Sequence, residues 1–238
     1  MEKYILKPLD WDTEFFGIKS AKATINSPLD EDEVNTLLEE CGKYSFVTIE
    51  NICGAFRNDY LLGKLSNAYI TDCPATLKKQ TCKYNSDDFS GIEIREAQED
   101  DLSVLEDIAR NAFTVSRFFN DIEIPDEKAG ELYALWVKNS LRNPDKKVFT
   151  VQDKCGFIIC SVNEDGDGVI NLIATGDKAR NRGIGSALVK FCDNWAYEQG
   201  CKEIYVGTQS TNIPAINLYV KNGFKLFRTT RTYHLRNY

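Results

Sequence analysis

The chain has 238 residues, enough for one large domain or two small ones, and its 42% hydrophobic and 27% charged content suits a globular protein with a buried core. A net charge of −7 and a pI of about 5.0 exclude a general attraction to nucleic acid or anionic membrane, so an anionic ligand has to be held by local donors. The start, Met1-Glu2-Lys3-Tyr4, lacks the pattern of a signal peptide, and no window reaches the ~18 apolar residues of a membrane span. These features predict a cytoplasmic protein without membrane insertion and without a nucleic-acid partner.

In chain order, the first ninety residues read as a separate small α/β unit. "DEDEVNTLLEECGK" predicts a helix near 30–42, capped by Asp30 or Asp32, with Val34, Leu37, Leu38 and Cys41 at helical spacing. "YSFVTIENI" (44–52) predicts a strand, and the polar stretch "NSDDFSG" (85–91) a domain boundary, giving domains 1–90 and 91–238. From Ile92 a short strand leads into an amphipathic helix with Leu102, Leu105, Ile108, Ala109 and Ala112 on one face. "SRFFNDIEI" is a loop, and Pro125 opens a second helix. "KKVFTVQ" and "CGFIICSVN" form a hairpin, "EDGDG" turns the chain, and "VINLIAT" (169–175) is a third strand. A glycine loop then leads into a helix ending at Gly200, followed by the strand "KEIYVGT", a short helix ended by Gly223, and one or two closing strands. The order from 92 onward is β-α-α-β-β-β-α-β-α-β.

The eight cysteines include no C-x-x-C pair, and His234 is the single histidine. A metal site is therefore not expected, and the cysteines read as reduced, mostly core residues. A nucleophilic Ser-His or Cys-His pair is disfavoured, because only His234 could serve it.

The glycine loop, "ARNRGIGSALV" (179–189), sits between a strand and a helix. A helix N-terminus exposes unpaired N–H groups and the positive end of the dipole, glycines let the backbone approach an anion, and Arg180 and Arg182 add planar donors. Behind it Ile184, Leu188, Phe191 or Cys192, and Trp195 share a stripe. The spacing fits neither a P-loop nor a G-x-G-x-x-G dinucleotide loop, since Leu188 fills the third glycine position. Taken alone, the loop reads equally as a pyrophosphate cradle or as a tight turn with two solvated arginines.

The sequence around it resembles the Gcn5-related N-acetyltransferases (GNAT). Arg180, Gly183 and Gly185 match the R/Q-x-x-G-x-G/A signature, and "YVGTQSTNIPAINLYVKNGF" supplies a second signature one strand later, with Asn212, Tyr219 and Asn222-Gly223-Phe224. The resemblance implies a mixed, mostly antiparallel central sheet with flanking helices, an α/β (α+β) fold. It implies acetyl-CoA as cosubstrate, without a metal. The pyrophosphate would be held by Arg180, Asn181, Arg182, Gly183, Ile184, Gly185 and Ser186, and the pantetheine arm by the backbone of Leu172, Ile173, Ala174 and Thr175 and by Asn212. In that fold the strand over 172–175 bulges and splays from its neighbour, which leaves an amide near Ile173 or Ala174 for the thioester oxygen, a contribution of roughly 3 kcal/mol. Tyr219 takes the place of the general acid, since a phenol with a pKa near ~10 is protonated when a thiolate of pKa ~8.5 leaves. Without the resemblance, Tyr219 reads as a packed aromatic beside Ile216, and Asn212 as a helix cap.

A narrower resemblance is to the bacterial acetyltransferases of dTDP-fucosamine, carried by "LDWDTEFFG" (9–17), "SRFFND" (116–121), "ALWVKNSL" and "GTQSTNIPAINLYVKNGF". It implies acetyl transfer to the 4-amino group of a dTDP-linked 4-amino-4,6-dideoxy sugar for surface polysaccharide. It also implies an extra N-terminal domain that contributes to the acceptor site or to a dimer. The loop carrying Arg117 and Phe118 would cover the acceptor, Arg117 pairing with a diphosphate and Phe118 packing on a ring; the other reading is a surface arginine beside a buried phenylalanine. Other acceptors stay open: another amino-sugar nucleotide, a peptide N-terminus, an aminoglycoside. So does a non-catalytic acetyl-CoA-binding module. A homodimer is the base-rate expectation. No general base is legible; Asp12, Glu14 and Glu50 read first as surface charges.

Overall fold

The computed structural model describes residues 2–89 and 91–237; Met1, Ser90 (inside the expected boundary stretch) and Tyr238 lie outside the described residues. Along the chain come β1 (Tyr4–Pro8), α1 (Asp10–Phe16), β2 (Ser20–Ile25), α2 (Glu31–Cys41), β3 (Phe46–Asn51), α3 (Phe56–Leu65), β4 (Tyr69–Asp72) and β5 (Pro74–Gln80). Then follow β6 (Ile94–Glu96), α4 (Leu102–Ala112), α5 (Asp126–Leu141), β7 (Lys146–Val151), β8 (Gly156–Val162), β9 (Gly168–Thr175) and α6 (Ile184–Glu198). The series closes with β10 (Glu203–Gln209), α7 (Ile213–Lys221), β11 (Lys225–Thr229) and β12 (Arg231–Arg236).

The chain divides into two compact units, one of them Ala75–Arg228 and the other formed by the residues before and after it. The expected cut at 90/91 therefore moves. Residues 75–89 go to the second unit because β5 is a strand of its sheet, and residues from 229 go to the first because β12 is a strand of that one.

In the first unit the sheet order is β1-β2-β3-β12-β4, with β2 and β3 parallel and the other pairs antiparallel. α2 starts at a capping box: Asp30 Oδ1 accepts from the Glu33 amide at 2.9 Å, and Glu33 returns a bond to the Asp30 amide at 3.0 Å. Of the two cap candidates, Asp30 is the one used. Val34, Leu37 and Cys41 then bury one face of α2 against Ala21, Ala23, Val47 and Ile49.

In the second unit seven strands run in the order β11-β5-β10-β9-β8-β7-β6. β6 to β9 are antiparallel neighbours, while β10 runs parallel to β9. α6 lays Ile184, Leu188, Cys192 and Ala196 on Ile158, Cys160, Ile170 and Ile204, so Cys192 rather than Phe191 holds the inner stripe. The cysteine expectation needs a correction: Cys160 on β8 and Cys192 on α6 are paired as a disulfide, because the strand and the helix packed on it bring the two Cα atoms to 6.7 Å. Cys41 and Cys201 are free and buried. Among the described residues no helix is long and apolar enough to cross a membrane, and no group of three metal-ligating side chains occurs.

Candidate active site

The β9–β10 pairing is short. Only Gly168, Val169 and Ile170 pair with Ile204, Tyr205 and Val206, although both strands continue beyond. On its other edge β9 stays paired with β8 up to Gly156↔Thr175, with a bulge at Asn171, since Ile159 faces Leu172 and Cys160 faces Ile170. The Gly176 amide donates to the Cys155 carbonyl at 2.9 Å, which marks 155/176 as a hydrogen-bonded pair. By the alternation of an antiparallel ladder, Ala174 and Leu172 then bond toward β8. Ile173 and Thr175 turn their amides to the other edge, where β10 has already left the ladder. A cleft lined by unpaired backbone groups results. Of the two amides considered from the sequence, Ile173 faces it and Ala174 does not.

Past Thr175 the chain makes a single 3-10 turn and reaches the glycine loop. Asn181 (φ 61°) and Gly183 (φ 82°) are both left-handed, and Gly183 is the N-cap of α6. The Ala187 amide is bonded back to the Gly183 carbonyl at 3.0 Å. The amides of Ile184, Gly185 and Ser186 precede it and form the open end of the helix. Arg180, Asn181 and Arg182 are exposed, and Arg180 pairs with Asp177 at 2.8 Å. Gly185 lies close to α7: a Cβ there would come within 3.3 Å of Leu218 Cδ2. This end of α6 offers amides, a dipole and two guanidinium groups to a phosphate-bearing ligand.

α7 begins at Asn212, whose Oδ1 accepts from the Ala215 amide at 3.2 Å, so the oxygen of this side chain is committed to capping. Tyr219 is 3% exposed, with its ring 5.8 Å from Phe224. Burial pushes its phenol pKa up, so it stays protonated throughout the neutral range. Asn222 was not anticipated as a site residue. Its Nδ2 donates to Ser186 Oγ at 3.1 Å and to the Leu218 carbonyl at 2.7 Å, tying the end of α7 to the first turn of α6.

Between α4 and α5, Arg117 is half-buried with its guanidinium 4.1 Å over the Phe118 ring. Phe118 is 1% exposed, edge-on to Trp136 at 5.9 Å and Tyr133 at 6.4 Å. The expectation that Phe118 offers a face to a sugar ring is corrected: with Arg117 over its ring, Tyr133 and Trp136 packed beside it and 1% exposure, the residue is core. Ser116 beside it buries a hydroxyl that has no hydrogen-bond partner among the described residues. Of the carboxylates considered as bases, Glu50 pairs with Lys22 at 2.8 Å; it, Asp12 and Glu14 all belong to the first unit.

The chain is similar to several known proteins. The sequence profile of the acetyltransferase (GNAT) family matches residues 115–224. Over 224 residues the chain is 29% identical to a protein named dTDP-fucosamine acetyltransferase from Escherichia coli O6:H1, covering 92% of each. It is 27% identical over 138 residues to the spore coat polysaccharide biosynthesis protein SpsD of Bacillus subtilis, covering 57% of this chain and 47% of that one. Among solved structures, a GCN5-related N-acetyltransferase from Sphaerobacter thermophilus has the same fold with a TM-score of 0.66 at 12% identity, covering 99% of this chain and 77% of the other.

Proposed function

We propose, from the premise that this chain carries an acetyltransferase domain of the GNAT family and is an N-acetyltransferase, that it moves acetyl from acetyl-CoA to the 4-amino group of a dTDP-linked 4-amino-4,6-dideoxy sugar. The observation that carries the acyl-transfer part is the opening between β9 and β10 beyond Ile170, which leads to the open N-terminus of α6. The sugar part rests on the likeness to the dTDP-fucosamine enzyme, which extends over 92% of the chain and so well beyond the 115–224 domain.

In this reading Arg180, Asn181, Arg182 and the amides of Gly183 to Ser186 hold the pyrophosphate. The backbone of 172–175 and the Asn212 side-chain amide line the pantetheine arm. The acceptor amine attacks the thioester carbonyl carbon, and the Ile173 amide donates to the developing oxyanion, a contribution of about 3 kcal/mol. The ammonium nitrogen of the adduct gives its proton to solvent, collapse breaks the C–S bond, the thiolate takes the Tyr219 phenolic proton, and solvent returns a proton to the phenolate. The buried tyrosine is neutral at working pH, as a proton donor must be. Arg117 pairs with the diphosphate of the acceptor.

The test is thiol release from acetyl-CoA with dTDP-4-amino-4,6-dideoxygalactose and its gluco epimer. One epimer is turned over, kcat falls about 100-fold or more in Tyr219→Phe, and Arg117→Ala raises the sugar-nucleotide KM about tenfold. Turnover of an aminoglycoside or a peptide N-terminus with neither epimer accepted would overturn the sugar assignment and keep the acetyltransferase.

A further inference from the structure

β5 precedes the residues that match the family profile, yet it is an inner strand of the second unit's sheet, between β11 and β10. Strand alternation puts Ala75, Leu77 and Lys79 on one face. Ala75 and Leu77 are core residues, 3% and 1% exposed, so Lys79 occupies an inward position. Its side chain is 12% exposed and its Nζ meets three oxygen acceptors, Asp193 Oδ2 of α6 at 2.7 Å, Tyr84 Oη at 3.0 Å and the Asn222 carbonyl at 3.3 Å, with the Cys82 sulfur at 3.5 Å as a fourth, weaker one. An ammonium has three donors, and the three oxygens satisfy it. Asp193, 1% exposed, also accepts from the Cys82 amide at 3.2 Å. Burial alone would lower the Lys79 pKa; the bonds to Asp193 and Tyr84 outweigh it, and the net shift is upward, so the charge is permanent.

The Asn222 carbonyl is at the C-terminal end of α7, where a positive charge is favoured by the helix dipole. The same residue makes the Ser186 contact with the cradle, and Tyr219 lies one turn back. The Phe224 amide closes this end on the Tyr219 carbonyl at 3.0 Å. We propose that Lys79 is a positioning residue for acetyl transfer: clamped to α6 through Asp193, it holds the C-terminal turn of α7 and so fixes Tyr219 relative to the cradle. This rests on the assignment of Tyr219 as proton donor.

The experiment compares wild type, Lys79→Met and Lys79→Met/Asp193→Asn, the last leaving no unpaired buried charge and keeping an acceptor for the Cys82 amide if the single variant does not fold. Amide hydrogen exchange comes first. Protection at Asn222, Gly223 and Phe224 falls at least about tenfold while α4 is unchanged; equal protection there in the folded variant overturns the proposal. Kinetics follow: kcat falls about tenfold or more with the acetyl-CoA KM within about twofold, and the loss disappears in a Tyr219→Phe background. A loss of the same size in both backgrounds overturns it, as does a Tyr219→Phe enzyme that is fully active. Exchange needs no acceptor, so a wrong acceptor fails in the wild-type assay and a wrong clamp fails in the exchange pattern.

Discussion

The two glycines of the cradle separate a backbone requirement from a packing one. Gly183 has φ 82°, and a Cβ built on it meets nothing within 4 Å. The cost of Gly183→Ala is therefore that of a left-handed L-residue, about 1–2 kcal/mol. For chains of this size about 1 kcal/mol shifts Tm by ~2–4 °C, so the variant melts ~2–8 °C lower. Any part of the strain relieved by moving the loop turns the α6 amides away, and the acetyl-CoA KM rises instead. Gly185 differs: its φ is not left-handed, and its Cβ would press only on the Leu218 methyls at 3.3 and 3.5 Å, the mobile ends of a side chain. In the first turn of α6, alanine is worth up to ~1 kcal/mol over glycine, so Gly185→Ala melts no lower than wild type. Calorimetry and acetyl-CoA saturation kinetics on both variants decide the matter. A Gly183→Ala protein unchanged in both Tm and KM would refute the reasoning, because no side-chain contact exists to compensate.

The remaining predictions concern charge. Asp101 is 2% exposed and accepts from Arg95 at 2.6 and 2.9 Å and from the Gln98 amide at 2.8 Å, with Lys154 at 2.9 Å. The Arg95 bonds, against burial, hold its carboxyl far below the usual carboxylate range. Its folded pKa is lowered, so its stabilisation is complete above an ordinary aspartate pKa of ~3.9 and lost as pH falls further. Asp101→Asn costs about 2 kcal/mol at neutral pH by urea titration and flattens the acid limb; an acid limb identical to wild type would count against this. Asp177 is exposed and paired to Arg180, and on the proposed reading it competes with the pyrophosphate of acetyl-CoA. Asp177→Asn lowers the acetyl-CoA KM roughly twofold at low salt and not at high salt; a KM that is unchanged or raised at low salt would show that Arg180 is not restrained by it.

Elements specified by short-range rules were legible in the sequence: α2 from its cap and spacing, α4 and α6 from their apolar stripes, α5 from the proline that opens it, and β7 to β9 from runs broken by turn residues. β5 escaped because "ATLKKQ" puts a lysine at an inward position, and lysine reads as solvent unless its partners on other elements are known. α1 escaped because "DWDTEFF" is short and Leu9, its N-cap, makes no side-chain cap bond. In the site, the loop chemistry of Arg180 to Ser186 could be argued locally. Which amide of 172–175 faces the cleft depended on a bulge and on where a neighbouring strand departs, and neither is written locally. The adjacent Phe118 and Phe119 gave no pattern to say which is buried; α5 makes that choice. Asn222 was read as part of the second signature but given no role, since its bond to Ser186 spans two elements.

The sheet order β1-β2-β3-β12-β4 has a consequence for synthesis. β12 stands between β3 and β4: His234 faces Thr48 on one side and Tyr69 on the other. A ribosome delivers residues 2–72 first and then the whole of Ala75–Arg228 before it delivers the strand that joins β3 to β4. The first-made unit is therefore the last that can finish. Until β12 is delivered, β3 has an unpaired edge and β4 lacks its neighbour in the sheet, for the time it takes to make the intervening unit. A stop codon shortly before residue 231 would spare every element of Ala75–Arg228 and leave the unit begun before it unfinished.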